Sequence, residues 1–115
     1  MNTYPGHCHC GSVSFEVETD FADLFRCNCS FCARRGAVVD KVPAARFRVV
    51  KGEQALGRYG KRDFSKHFFC TTCGIQCFTR ITRDGEESVA VNVGCLEEVD
   101  RELPEPRLFD GAKLL

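Results

Sequence analysis

The chain has 115 residues, with sixteen basic and sixteen acidic side chains, three histidines and nine cysteines. That length fits one domain, residues 1–115, with a small core of the kind that relies on staples. Zero net charge argues against a broad nucleic-acid surface, and there is no apolar run of about 18 residues to cross a membrane.

Taken in order, the chain opens without an apolar leader, so the expected location is cytoplasmic. Cys8-His9-Cys10-Gly11 is the first cysteine motif. Residues 12–18 alternate, placing Val13, Phe15 and Val17 on one side, the period of a half-buried strand. Residues 20–23 read as a connection, and Leu24 and Phe25 lead into Cys27-Asn28-Cys29-Ser30-Phe31-Cys32. Residues 37–42 form a short strand that Pro43 ends. Residues 46–51 form another, with Phe47 and Val49 on one face, before a Gly52-Glu53 turn. Residues 55–59 are a weaker strand and 60–63 a polar loop. Residues 66–69 enter Cys70-Thr71-Thr72-Cys73-Gly74 as a strand, and residues 76–82 leave it as the next. In the latter, Gln76, Phe78, Arg80 and Thr82 share one face, and Cys77, Thr79 and Ile81 the other. Asp84-Gly85 is a hairpin turn, and residues 88–93 return with Val89, Val91 and Val93 on one face. No segment carries a helical stripe. Residues 96–103 could make one short helical turn before Pro104, and residues 105–115 are expected to pack on the body. Short strands separated by glycine turns imply a mainly β fold of antiparallel strands.

Nine is an odd number, and the cysteines cluster at one or two intervening residues, which favours metal over a disulfide framework. Two clusters end in glycine, which can take positive φ and turn neighbouring N–H groups toward ionised sulfur. Cys8, Cys10, Cys70 and Cys73 are therefore read as a closed four-thiolate zinc site. Cys27, Cys29 and Cys32 are followed by Ala33 instead, and they supply three ligands. Structural zinc is closed by four protein ligands, whereas catalytic zinc keeps a position open. The expectation is two zinc ions, one structural and one catalytic.

The order C-x-C-G, C-x-C-x-x-C, F-C-x-x-C-G resembles the glutathione-dependent formaldehyde-activating enzyme family, which includes the centromere protein V group. The likeness runs over residues 7–97, most of the chain. It implies a small zinc-stapled β-tent, structural zinc on the outer pairs and catalytic zinc on the triplet. It also implies a carbon–sulfur lyase resembling S-(hydroxymethyl)glutathione synthase. Such an enzyme takes a thiol such as glutathione, deprotonates it at zinc, and adds it to formaldehyde or a related small aldehyde. The alternative is a non-catalytic zinc module that binds a protein partner or a thiol.

Other residues keep two readings. Cys77 and Cys95 are either buried apolar thiols or a fourth ligand that closes the inner site. His7, His9 and His67 are ligands, or supports beside the metal motifs; His67 could donate to a thiolate or to a bound substrate. Arg34, Arg35, Lys61, Arg62 and Lys66 are solvated charge or a grip on an anionic substrate. Arg34 and Arg35, nearest the triplet, are the favoured substrate-binding pair because guanidinium forks suit carboxylates. Phe31 is a core anchor or an apolar lid over the metal.

Overall fold

The computed structural model describes residues 1–99 and 102–115. In chain order these form β1 (Asn2–His7), β2 (Ser14–Thr19), β3 (Leu24–Cys27), α1 (Ser30–Arg35), β4 (Val39–Pro43) and β5 (Phe47–Lys51). They continue with β6 (Leu56–Tyr59), β7 (Ser65–Cys70), β8 (Gln76–Arg83), β9 (Glu86–Asn92), β10 (Arg107–Phe109) and α2 (Gly111–Leu114). The mainly β expectation holds. An antiparallel sheet in the order β1-β2-β5 stands beside a larger one in the order β10-β3-β4-β9-β8-β7-β6. All pairings in the larger sheet are antiparallel except β10 on β3, which is parallel.

The core lies between the sheets. From the small sheet come Phe15, Val17 and Phe47, with Val13 just before β2; from the large one come Phe78, Val89 and Val91. Phe47 sits 4.6 Å from Phe78 and 5.4 Å from Phe15, ring centre to ring centre, so three aromatics join the two layers. The alternation read in residues 12–18 therefore faces the way its period dictates. The Asp84-Gly85 turn is as expected: both residues have positive φ, as a tight hairpin turn demands.

Three segments depart from expectation. β1 carries Pro5 and Gly6, which hide its strand character. Proline is tolerated there because β1 is an edge strand, and a Cβ at Gly6 would meet the Phe15 ring at 2.6 Å. α1 is a helix where none was expected. At six residues it is too short to show a stripe, and its N-cap is Cys29, whose sulfur accepts from the Cys32 N–H. Finally, residues 96–99 and 102–103 do not form the helical turn expected over 96–103; Leu96 instead bridges to Gly6. Asp100 and Arg101, within that stretch, lie outside the described residues. The tail packs on the body through β10 and α2.

Among the described residues no helix is long and apolar enough to cross a membrane.

Candidate metal centres and the cavity beside them

The outer set is built by two turns of one design. After β1, Cys8 and Cys10 are followed by Gly11 at φ 82°; after β7, Cys70 and Cys73 are followed by Gly74 at φ 81°. Each glycine N–H closes its turn on the carbonyl of the first cysteine, at 3.2 Å on Cys8 and 2.8 Å on Cys70. The residue after each glycine, Ser12 or Ile75, then presents its N–H to the second cysteine. Val13 N and Thr72 N donate to Cys8 and Cys70, both at 3.4 Å.

Four sulfurs held at about 2.3 Å from one ion stand about 3.8 Å apart at tetrahedral angles. Cys8–Cys10 and Cys10–Cys70 are each separated by 3.7 Å, and all four sulfurs lie within 4.8 Å of one another. The donor set fits a four-coordinate ion such as zinc. Without the ion the thiols divide. The Ile75 and Cys10 N–H groups pull Cys73 down to about 6, and the Ser12 hydroxyl and N–H pull Cys10 down. Burial pushes Cys8 up to about 11. A cation is what lets the buried member join the ionised ones.

The inner set is built by one strand end and one helix. β3 delivers Cys27; Cys29 caps α1; Cys32 lies one turn into it. Their sulfurs also lie within 4.8 Å of one another. Cys29 N points at Cys27 Sγ, at 3.5 Å. Burial pushes Cys32 up to about 12, against the pull of the Arg35 guanidinium. Arg35 Nη2 donates to Cys32 Sγ at 3.3 Å. Burial also raises Cys29, but N–H and thiol hydrogen bonds from Cys32 outweigh it and hold the group below its ordinary value. Three sulfurs in this arrangement suit an ion with one position left over.

All three inner cysteines line a cavity of about 190 Å³. Its wall carries Arg35, Lys41, Arg62, Arg83 and Arg107, and no Asp or Glu among the described residues. A second cavity of about 320 Å³ shares Arg62, Ser65 and His67 with it and adds Arg34 and Lys61. The two favoured arginines therefore part company. Arg35 faces the cysteines, while Arg34 faces the second cavity with Nη1 on Ser30 O at 2.7 Å. Lys66 is tied by Nζ to Gly60 O. Arg35 commits Nη1 to Gln76 and Nη2 to Cys32, and its buried Nε has no partner among the described residues.

His67 is buried in β7, 8 % exposed, and lines both cavities. Burial, then the charges of Arg35, Arg62 and Lys66, lower its pKa to about 4, so the ring is neutral at pH 7. Phe31 neither enters the main core nor covers the sulfurs. It stacks on His67 with ring centres 3.9 Å apart and planes 10° apart, and the Tyr59 ring lies 5.8 Å from it.

His7 binds the Cys8 carbonyl and Glu97, and no histidine joins either sulfur group among the described residues. Cys77 and Cys95 are buried, hydrogen-bonded to one another, and within reach of the charges of the outer set rather than grouped with the triplet.

The tail packs on the body as expected, but its place beside the inner cysteines was not foreseen. β10 lays Phe109 beside Cys27 in register. Asn28 then ties the tail down, donating to Asp110 Oδ1 at 3.1 Å and accepting from Ala112 N at 2.9 Å. A Cβ at Gly111 would stand 2.6 Å from Cys27 Sγ. Leu115 lines the cavity. The only signal in the sequence was a tail with apolar residues and few turn formers.

The family profile described as glutathione-dependent formaldehyde-activating enzyme matches residues 3–111. A crystal structure of a Rhodobacter sphaeroides protein superposes with a TM-score of 0.80 at 42% identity, covering 91% of this chain and 99% of that one.

Proposed function

The chain belongs to the glutathione-dependent formaldehyde-activating enzyme family, and from that premise we propose that it joins a small thiol of the glutathione kind to formaldehyde or a related aldehyde. The product is an S-hydroxymethyl thioether, and the reverse reaction is a carbon–sulfur lyase step. Residues 1–115 act as one unit in this reading, in the cytoplasm, with neither nucleic acid nor membrane as partner.

The observation that carries the proposal is three clustered sulfurs opening on a cavity whose charged wall is entirely cationic. Cys27, Cys29 and Cys32 would hold a catalytic zinc; Cys8, Cys10, Cys70 and Cys73 would hold a structural one. When bound at the inner set, zinc supplies a Lewis-acid position that lowers the pKa of an arriving thiol.

The chain's own groups do the rest. Glutathione carries two carboxylates, and Arg35, Arg62 and Lys41 favour an anion in the cysteine cavity. Arg34 and Lys61, in the second cavity, suit a carboxylate at the far end of the same substrate. Phe25 and Phe109, edge to face at 6.3 Å, form an apolar part of the same wall.

The test is thiol-dependent consumption of formaldehyde, with the S-hydroxymethyl product followed by NMR. Turnover by the wild type and its loss in Cys29→Ser are expected. Wild-type protein that binds two zinc ions yet consumes no formaldehyde with any small thiol would make it a non-catalytic zinc module.

A further inference from the structure

A chain of hydrogen bonds runs from the inner set to His67. Arg35 Nη1 donates to Gln76 Oε1 at 2.8 Å, Gln76 Nε2 donates to Thr79 Oγ1 at 3.1 Å, and Thr79 Oγ1 lies 2.8 Å from His67 Nδ1. One direction of donation satisfies every member. A guanidinium has no acceptor, so Gln76 turns its oxygen to Arg35 and its amide N–H to Thr79. Thr79 is 5 % exposed, and His67 Nδ1 is the acceptor within hydrogen-bond distance of its hydroxyl proton. A buried hydroxyl left without an acceptor is costly, so the proton goes to Nδ1. The neutral ring therefore carries its own hydrogen on Nε2.

The ring cannot turn away easily. Phe31 lies flat against it, and Nδ1 is held by Thr79. Nε2 makes no hydrogen bond to the described residues, while the ring lines the cavity that holds the inner sulfurs. The result is a fixed N–H donor on a wall with cations and no carboxylates. Such a wall favours a developing negative oxygen, and a donor that needs no reorganisation stabilises it most.

We propose, resting on the thiol–aldehyde reading above, that His67 is a catalytic residue whose Nε2–H donates to the aldehyde oxygen during addition. The sulfur forms the carbon–sulfur bond and the carbonyl π pair moves onto oxygen. That oxygen takes a proton from water, matching the proton the thiol released, and the histidine keeps its own. In the lyase direction the same bond breaks and the same donor holds the departing carbonyl oxygen. Thr79 and Gln76 are positioning residues that act by fixing the tautomer.

The test uses the zinc-loaded full chain. His67→Phe keeps a ring for Phe31 to stack on and removes both nitrogens; His67→Gln restores an N–H. With glutathione and formaldehyde, His67→Phe should lose about 100- to 1000-fold in kcat, with glutathione affinity within about threefold of wild type, and His67→Gln should recover about tenfold of that loss. Independently of turnover, ¹⁵N spectra of histidine-labelled protein at pH 7 should show His67 protonated on Nε2 alone, and Thr79→Val should mix the tautomers. An active wild type with His67→Phe within threefold of it overturns this proposal alone, as does an Nδ1-protonated ring. A wild type with no turnover overturns the thiol–aldehyde reading and this proposal together. If His67→Phe does not fold, the tautomer and His67→Gln decide.

Discussion

The outer set gathers four sulfurs from two turns, with Cys10 and Cys70 separated by 60 positions, while the inner set takes three from one short run, Cys27 to Cys32. Burial does not separate them: each holds buried and partly exposed members. Their neighbours do. The outer sulfurs meet backbone N–H groups and Ser12, all neutral, and line neither of the two cavities described above. The inner sulfurs meet a guanidinium on Cys32 and an open chamber lined by cations. In the proposed function, ligand number and the charge of what lies beyond the ligands, rather than exposure, divide a site that would hold the fold from a site that would meet a substrate.

The comparison breaks first at Cys73. Structural zinc contributes on the order of 10 kcal/mol to folding, and here it would close a long loop, so Cys73→Ser should yield insoluble or unfolded protein. A cooperative melt near wild type would remove the structural assignment. Cys29→Ser should do the opposite: a folded protein with one metal equivalent instead of two by elemental analysis, and a loss of at least about 1000-fold in turnover.

Acid sharpens the contrast at the chamber wall. His67 takes a proton near 6.5 when unfolded and near 4 when folded. Between those values the unfolded chain binds more protons, so the neutral ring's contribution is full above about 6.5 and is lost as pH falls toward 4. The drop should be about 2 kcal/mol, below the full linkage because solvent in the cavity screens the ring. Stability curves of wild type and His67→Gln should diverge in that window and run parallel above it; parallel curves throughout would discard the shift.

Gly111→Ala places a methyl against Cys27 Sγ. It should weaken the inner metal about tenfold in a chelator competition and leave the outer metal alone. Equal weakening of both would mean the sets are not independent. The smallest effect is expected at Cys77→Ala, a core truncation of about 1–2 kcal/mol by thermal melt with both metal equivalents kept. Loss of an equivalent would make Cys77 a ligand.

How much of this was legible depends on the distance over which the signal acts. Strands β2, β5, β8 and β9 declare themselves by alternation, because one face of each meets the shared core. The cysteine sets declare themselves by spacing, and the glycines after Cys10 and Cys73 mark the closed one. β1 was hidden by Pro5 and Gly6, whose reasons, an edge and the Phe15 ring, lie in other strands. α1 was hidden because a thiol caps it in place of Ser, Thr, Asn or Asp. The chamber wall was the least legible. Lys41, Arg83 and Arg107 come from three strands far apart in sequence, and nothing local distinguishes them from surface charge. The Arg34-Arg35 pair is plain in the sequence, but helical geometry sends neighbours in different directions, so adjacency does not mean a shared cavity.

The room beside Cys27 depends on a glycine at position 111, more than 80 positions along the chain, held in place by Asn28, Asp110 and Ala112. A point mutation there reshapes the chamber without replacing a cysteine of either set or a residue of the main core. The cysteines are constrained by the metal they suit, and the core by its packing; the tail is bound mainly by its hydrogen bonds to Asn28 and Asp23 and by a three-residue strand. Lineages sharing this architecture thus have a place to vary what the chamber admits while everything that keeps them folded stays the same.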